Sequence, residues 1–398
     1  MNSNLLLDEI KCFDSGASNT SQEILAQPNL WLKVFKSAQE SSTEIKKFLA
    51  ETRRNNNLHV ILTGAGTSAF IGNVLEGAFQ KNTGLITKAV ATTDLVTHPD
   101  LYFQNDKDIL LVSFARSGNS PESAKAVQLA KQLSHKNFNL VITCSQKSNL
   151  VNATDNTPNL TILLPPEADD KSLAMTGSFT SMLLMGMLIS DIDFIDEKES
   201  DISIMAGYGE KIFKDYIKHI RQISEMDFER AIFLGSGLTR GIARESQLKL
   251  QELTDGKIIC KYDSFLGFRH GPKAVINDKT IISYLFSNKS YVNKYELDLV
   301  QAVNKGRKPM YSVGVMEKKI RGIDLDLEII MGNGNHELKE EFMSIVSVLP
   351  AQILGFFKSL QLGLKPDNPS ESGMIHRVVQ GVNVYPYENK RGNDNGRK

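Results

Sequence analysis

His59-Val60-Ile61-Leu62, then Gly64-Ala65-Gly66-Thr67-Ser68, then the apolar-periodic run Ala69 to Phe79, read as strand, glycine turn and helix. The same grammar returns 171 positions later. Arg230-Ala231-Ile232-Phe233-Leu234 is the strand, Gly235-Ser236-Gly237 the turn and Leu238 to Leu253 the helix, with Gly64 and Gly66 falling on Gly235 and Gly237. The following strands keep the offset: Asp108 to Val112 falls on Lys279 to Ser283, and Leu140 to Thr143 on Tyr311 to Gly314. A constant offset over three successive strands signals an internal duplication. Short β-branched strands alternating with helical patterns imply parallel sheets with right-handed crossovers.

The expected fold class is therefore α/β, with two tandem parallel-sheet α/β sandwich domains behind a helical N-terminal segment. A chain of 398 residues exceeds what one hydrophobic core usually organises. Trp31, Leu32, Val34 and Phe35, followed by Ile45, Phe48 and Leu49, recur at helical spacing and place the helical segment at residues 1–50. The first sandwich is expected at 51–214 and the second at 215–398, joined by the polar stretch Asp191 to Asp201 and the helix after it.

Composition excludes several function classes. Forty-six basic residues balance 46 acidic ones, so the basic face of a nucleic-acid binder is not expected. The basic end, Lys390-Arg391 and Arg397-Lys398, reads as a solvated tail. Cys12, Cys144 and Cys260 are too widely spaced for a disulfide framework or a metal site, and the seven histidines form no His-x-x-x-His pair. Residues from Met1 to Cys12 include acids and no apolar run of signal-peptide type, and apolar stretches such as Ser181 to Ile189 are too short to cross a bilayer. A cytoplasmic protein, free of metal, cofactor, membrane and nucleic acid, is expected.

In open parallel sheets, ligands sit beyond the carboxyl ends of the strands. Thr67 and Ser68 stand there at a helix N-terminus, where backbone N–H groups favour an anion. Ser113-Phe114-Ala115-Arg116-Ser117-Gly118-Asn119-Ser120 repeats the design, and Pro121-Glu122 opens the next helix. Taken singly, each loop is an ordinary N-cap. A nucleotide reading of Gly64-x-Gly66-x-x-Ala69 fails because Asp94 lies too far on to meet a ribose, and no P-loop lysine follows. The second copy has Ser287-Asn288-Lys289-Ser290-Tyr291 where the first has Arg116-Ser117-Gly118-Asn119-Ser120, so only the first copy is expected to bind a phosphate.

On the second-copy helix, Glu245, Lys249 and Glu252 are spaced i, i+4 and i+7 and share a face. The plain account is a solvated Glu-to-Lys pair with a further acid, Leu248, Leu250 and Leu253 supplying the buried side. Beyond a strand from Lys257 to Tyr262, Phe268-Arg269-His270-Gly271-Pro272 sets a histidine in a rigid turn, a place where histidines are more often surface than catalytic.

Together these segments resemble the sugar isomerase (SIS) superfamily. The motifs that carry the resemblance are Gly66-Thr67-Ser68, Ser117-Gly118-Asn119-Ser120, Leu248-Lys249-Leu250-Gln251-Glu252 and His270-Gly271-Pro272, in that order, over about residues 45 to 387. Within the superfamily the chain is most similar to the AgaS group of galactosamine-6-phosphate deaminase/isomerases, also described as tagatose-6-phosphate ketose/aldose isomerases. That similarity rests on residues 113–123, Ser172-Leu173-Ala174-Met175-Thr176 and Arg377-Val378-Val379-Gln380-Gly381-Val382. The resemblance implies a hexosamine phosphate or ketohexose phosphate anchored on Thr67, Ser68, Arg116, Ser117 and Ser120, with Thr176 closing the site and the C-terminal tail lying over it.

The isomerase half of glucosamine-6-phosphate synthase, another member, implies Glu252 as the base shuttling a proton between C1 and C2. It likewise implies His270 as the ring opener and Lys249 as the support of the enolate oxygen. Its tail lysine is matched here only by Arg377, which forms no imine at neutral pH. This chain shows no glutamine-cleaving domain, so release of ammonia is favoured over synthesis. The expected activity converts galactosamine 6-phosphate to tagatose 6-phosphate and ammonia, in a homo-oligomer and without cofactor or metal. Plain tagatose-6-phosphate isomerisation is the runner-up. A sugar-phosphate-binding regulator stands third, because the segment from Ser21 to Thr52 has neither the basic surface nor the turn of a DNA-reading helix pair.

Overall fold

The computed structural model describes residues 16–55, 57–334, 337–379 and 381–388. Residues 1–12 with Cys12, Gln380 and the basic end from Lys390 to Lys398, all used above, lie outside the described residues. Strands β1 (Leu58–Thr63), β2 (Thr87–Ala89), β3 (Asp108–Ala115), β4 (Lys136–Thr143) and β5 (Asn159–Leu163) form one parallel sheet in the order β2-β1-β3-β4-β5. Strands β6 (Arg230–Gly235), β7 (Ile259–Asp263), β8 (Thr280–Leu285), β9 (Tyr311–Met316) and β10 (Leu327–Ile330) form a second parallel sheet. Its order, β7-β6-β8-β9-β10 read from the β7 edge, matches the first sheet strand for strand.

A central parallel strand covered on both faces is largely apolar. β3, Asp-Ile-Leu-Leu-Val-Ser-Phe-Ala, is buried at all eight positions. In both sheets the chain leaves the first strand toward one neighbour and returns on the other side. A crevice therefore opens at the carboxyl ends of β1 and β3, and again at those of β6 and β8.

The N-terminal helices Ser18–Glu40 and Ser42–Arg53 agree with the 3.6-residue spacing. The first packs on the helices Gly177–Ser190 and Glu199–Asp215, where Trp31 Nε1 donates to Thr180 Oγ1 at 3.0 Å. The run Ser181 to Ile189 lies in the helix Gly177–Ser190, which is buried along its whole length. Glu340–Gln361, long and apolar enough to cross a membrane, is likewise packed inside the fold. One apolar cluster runs from Trp31 through Phe114 and Phe179 to Phe233, Phe342 and Phe356, so both sheets and the N-terminal helix share a core.

The helix Thr67–Thr83 after β1 starts two residues before the expected run, and its second-sheet counterpart is Leu238–Leu253. These two helices lie against each other. A Cβ on Gly241 would come within 2.8 Å of the Val74 backbone nitrogen, so a glycine permits the close approach. That contact brings the glycine loop after β1 to the acidic face of the helix after β6.

Candidate active site

A cleft of about 330 Å³ opens at the carboxyl ends of β1 and β3. Its walls are residues 65–68, residues 114–118 with Ser120, Glu122 and Ser123, the pair Leu173 and Met175, Glu252 from the helix Leu238–Leu253, and the tail segment 374–379. Thr67, Ser68, Arg116, Ser117, Ser120, Glu252 and Arg377 all line it. Lys249 does not line it but donates to two residues that do, Glu252 and Thr67. Thr176 and His270 do not line it.

The glycine turn is fixed by sterics. A Cβ on Gly64 would sit 2.6 Å from the Ser68 carbonyl carbon, and Gly66 holds φ 56° and ψ −129°, a backbone closed to L side chains. Thr67 and Ser68, released at the helix start, turn toward the acidic helix and Met175 respectively.

The solvated Glu-to-Lys pair is overturned. Glu245 and Lys249 have no side-chain exposure, while Glu252 retains 24% at the cleft wall. The crossing with the helix Thr67–Thr83 covers the face that sequence spacing alone leaves to water. Lys249 Nζ donates to Glu252 Oε2 at 2.7 Å and to Thr67 Oγ1 at 3.1 Å, and lies 3.3 Å from Glu245 Oε1. Burial disfavours the ammonium, but the Glu245 and Glu252 carboxylates outweigh it and raise the Lys249 pKa. Burial raises Glu245 to about 8, with Lys249 pulling the other way and Glu252 adding to the rise. A neutral Glu245 beside a charged Lys249 leaves Glu252 as the ammonium's ionic partner. Glu245 joins this cluster although no motif includes it; its i, i+4 spacing from Lys249 is the signal that marks it.

Across the cleft, Gly118 holds φ 66°, and a Cβ there would collide with Ser148, so the serine loop is tight by necessity. Ser117 Oγ accepts from the Asn119 backbone N–H at 3.3 Å, and Ser120 Oγ donates to the Glu122 carboxylate. Arg116 is a correction to the simple anchor. Its buried guanidinium donates to the carbonyls of Ser172 at 3.1 Å, Leu173 at 3.3 Å and Arg377 at 2.8 Å. It ties the cleft wall to the tail. Burial lowers its pKa, and the neighbouring Arg377 lowers it further.

The Arg377 side chain turns to the Asp169 carboxylate at 2.8 Å and the Asp170 carbonyl, Nε lying 3.0 Å from the latter, so the tail residue is spent on closure. Thr176 is also a correction. It is buried, its N–H and Oγ1 donating to Asp170 at 2.8 and 3.2 Å, because Asp170 caps the helix Gly177–Ser190. It shapes the loop that carries Leu173 and Met175. His270 is exposed at the end of the short helix Phe265–Phe268. Among the described residues no three His, Cys, Asp or Glu side chains converge as a metal site.

Comparison with known proteins agrees with this geometry. The model of the SIS domain matches residues 54–190. A D-galactosamine-6-phosphate deaminase AgaS of Shewanella sp. (strain ANA-3) is 38% identical, over 97% of this chain and 96% of its own length. A crystal structure from Clostridium novyi NT, assigned as a tagatose-6-phosphate ketose/aldose isomerase, superposes with a TM-score of 0.92 at 37% identity, covering 96% of this chain and 97% of that one. The tagatose-6-phosphate ketose/aldose isomerase of Escherichia coli gives 0.82 at 32% identity, covering 93% and 97%. With identity of this order running through both sheets, the chain belongs to the SIS family and, within it, to the AgaS group.

Proposed function

We propose that the chain converts galactosamine 6-phosphate to tagatose 6-phosphate and ammonia. One observation carries the reading: Glu252, paired with the buried ammonium of Lys249, faces the serine loop and Ser68 across a single cleft. A carbon-proton base and a phosphate anchor thus share one small volume. Glu252 takes the C2 proton of the open-chain amino sugar and returns it to C1. Water then hydrolyses the C2 imine, which releases ammonia and leaves the ketose. Lys249 has its donors directed at Glu252, Thr67 and Glu245, so its charge acts mainly by aiming the Glu252 carboxylate. Ser117, Ser120, Thr67 and Ser68 receive the phosphate, and Arg116 with Arg377 hold the wall and tail around it.

His270 opens the ring from a second copy, since its own chain leaves it exposed and outside the cleft. A homo-oligomer follows from that reading, and we place it in the cytoplasm. The equal strand order of the two sheets and the shared glycine backbone support two tandem copies with a boundary near residue 215. Plain isomerisation is the second reading, favoured by what the two structural relatives are said to do.

An ammonia-release assay on galactosamine 6-phosphate, beside glucosamine 6-phosphate, separates the two. Ammonia in step with ketose supports deamination; tagatose 6-phosphate converted to an aldose with no ammonia from either amino sugar overturns it. In the same assay Glu252→Gln removes turnover by about 10²-fold or more while sugar-phosphate binding stays within about twofold. Equal loss of both would remove Glu252 as the base.

A further inference from the structure

The crevice at the carboxyl ends of β6 and β8 is the symmetry mate of the active-site cleft. At the 171-residue offset Asn73 falls on Arg244, and these two side chains meet, Arg244 Nη1 donating to Asn73 Oδ1 at 2.7 Å. Around that point a second cleft of about 400 Å³ opens. Gly237 lines it as Gly66 lines the first, with φ 56° and ψ −123°. Lys81, at the end of the helix Thr67–Thr83, lines it where Glu252 lines the first. The base of one cleft is thus replaced by a cation in the other.

Four cationic side chains, Lys81, Arg240, Arg244 and Lys289, face two carboxylates, Glu76 and Glu341, in this cleft. The carboxylates are partly engaged. Glu76 accepts from the Ala89 N–H at 2.8 Å and Glu341 lies 3.6 Å from Lys81, while Lys289 pairs with Glu340 just outside. The Arg244 guanidinium carbon lies 4.3 Å from the Phe70 ring centroid and 5.5 Å from that of Tyr262. Arg240 is exposed, and its side chain makes no hydrogen bond or ion pair among the described residues. A fixed guanidinium beside an uncommitted one suits the fork geometry of a phosphate oxygen pair. The volume falls within the range of small-molecule sites.

We propose that this second cleft binds a phosphate-bearing small molecule and does not turn it over. The sugar phosphate used as probe rests on the substrate class proposed above; the cleft itself does not. Any occupant touches both helices that carry Thr67 and Glu252, so the second cleft adjoins the elements of the active site without sharing its lining.

Calorimetric titration of the full chain with tagatose 6-phosphate, inorganic phosphate and tagatose tests this. Two tagatose 6-phosphate sites per chain are expected, one of which also takes phosphate and is weakened by about tenfold or more in Arg240→Glu. Arg240→Gln weakens the same site less, and both variants keep the other site and kcat. A single site untouched by Arg240→Glu but weakened by Ser117→Ala overturns the second cleft and leaves the proposed function standing. A single site lost in Arg240→Glu and indifferent to Ser117→Ala supports the second cleft and removes the serine loop from substrate binding. Equal affinity for tagatose without its phosphate overturns the ligand class.

Discussion

Glu245 is the residue whose environment departs furthest from its sequence context. Its carboxyl is walled by Lys249, Glu252 and Thr67, and one oxygen, Oε2, has no partner among the described residues. Burial holds its proton up to about pH 8, above the ordinary carboxylate range. The folded chain therefore binds this proton more tightly than the unfolded chain does, and stability falls as pH rises through that window. One such group bends the stability curve by at most about 1.4 kcal/mol per pH unit. Glu245→Gln keeps the shape and removes the proton, so melting temperature should decline less steeply between roughly pH 5 and 9 than in the unsubstituted chain. Burial raises Glu23 and Glu296 to about 7, which leaves a residual slope of the same sign. Parallel curves would show that Glu245 is already ionised below that range. In the sequence, Glu245 is one more acid on an exposed-looking face. Only the crossing of two distant helices makes it a buried acid.

At the scale of elements, the glycine turns were legible and their consequences can be separated. Gly66 and Gly237 share a backbone that disfavours any side chain, and neither has an atom within 4 Å of a would-be Cβ. Alanine at either position therefore meets backbone strain and no collision, a loss of about 1–3 kcal/mol in each case. The two variants should lose similar stability in denaturant melts. Only Gly66→Ala should raise KM for the phosphorylated sugar, because only its loop lines the active-site cleft. A matching rise in Gly237→Ala would place substrate in the wrong crevice. Strand starts, helix starts and the parallel order followed from apolar runs, glycine pairs and the offset. The role of Arg116 did not. A cation in a serine-rich loop reads as an anion ligand, yet its partners are carbonyls of Ser172, Leu173 and Arg377, one of them 261 positions away. Spacing along the chain carries no trace of such a closure, and the same is true of Thr176 beneath Asp170.

For the whole molecule, two sheets of matching strand order give one chain two crevices and a shared core, with His376 of the tail lining the candidate cleft and His270 outside it. Glu252 stands in the cleft while His270 stands exposed on the same half, outside it. Closed symmetric pairing could bring the His270 of one copy to the Glu252 of the other, and it would do so twice, since each contact of a two-fold pair is repeated. The consequence can be tested by mixing. Glu252→Gln and His270→Ala chains are each expected to be nearly inactive alone. Unfolded together and refolded in equal amounts, random pairing makes half the dimers mixed, and each mixed dimer contains one cleft with both groups intact. About a quarter of the unsubstituted activity should return. If the histidine serves its own chain, every cleft in the mixture lacks one group and no activity returns. The measured fraction also reports assembly size only weakly, because the counting depends on which two chains share a cleft and not on how many pairs associate.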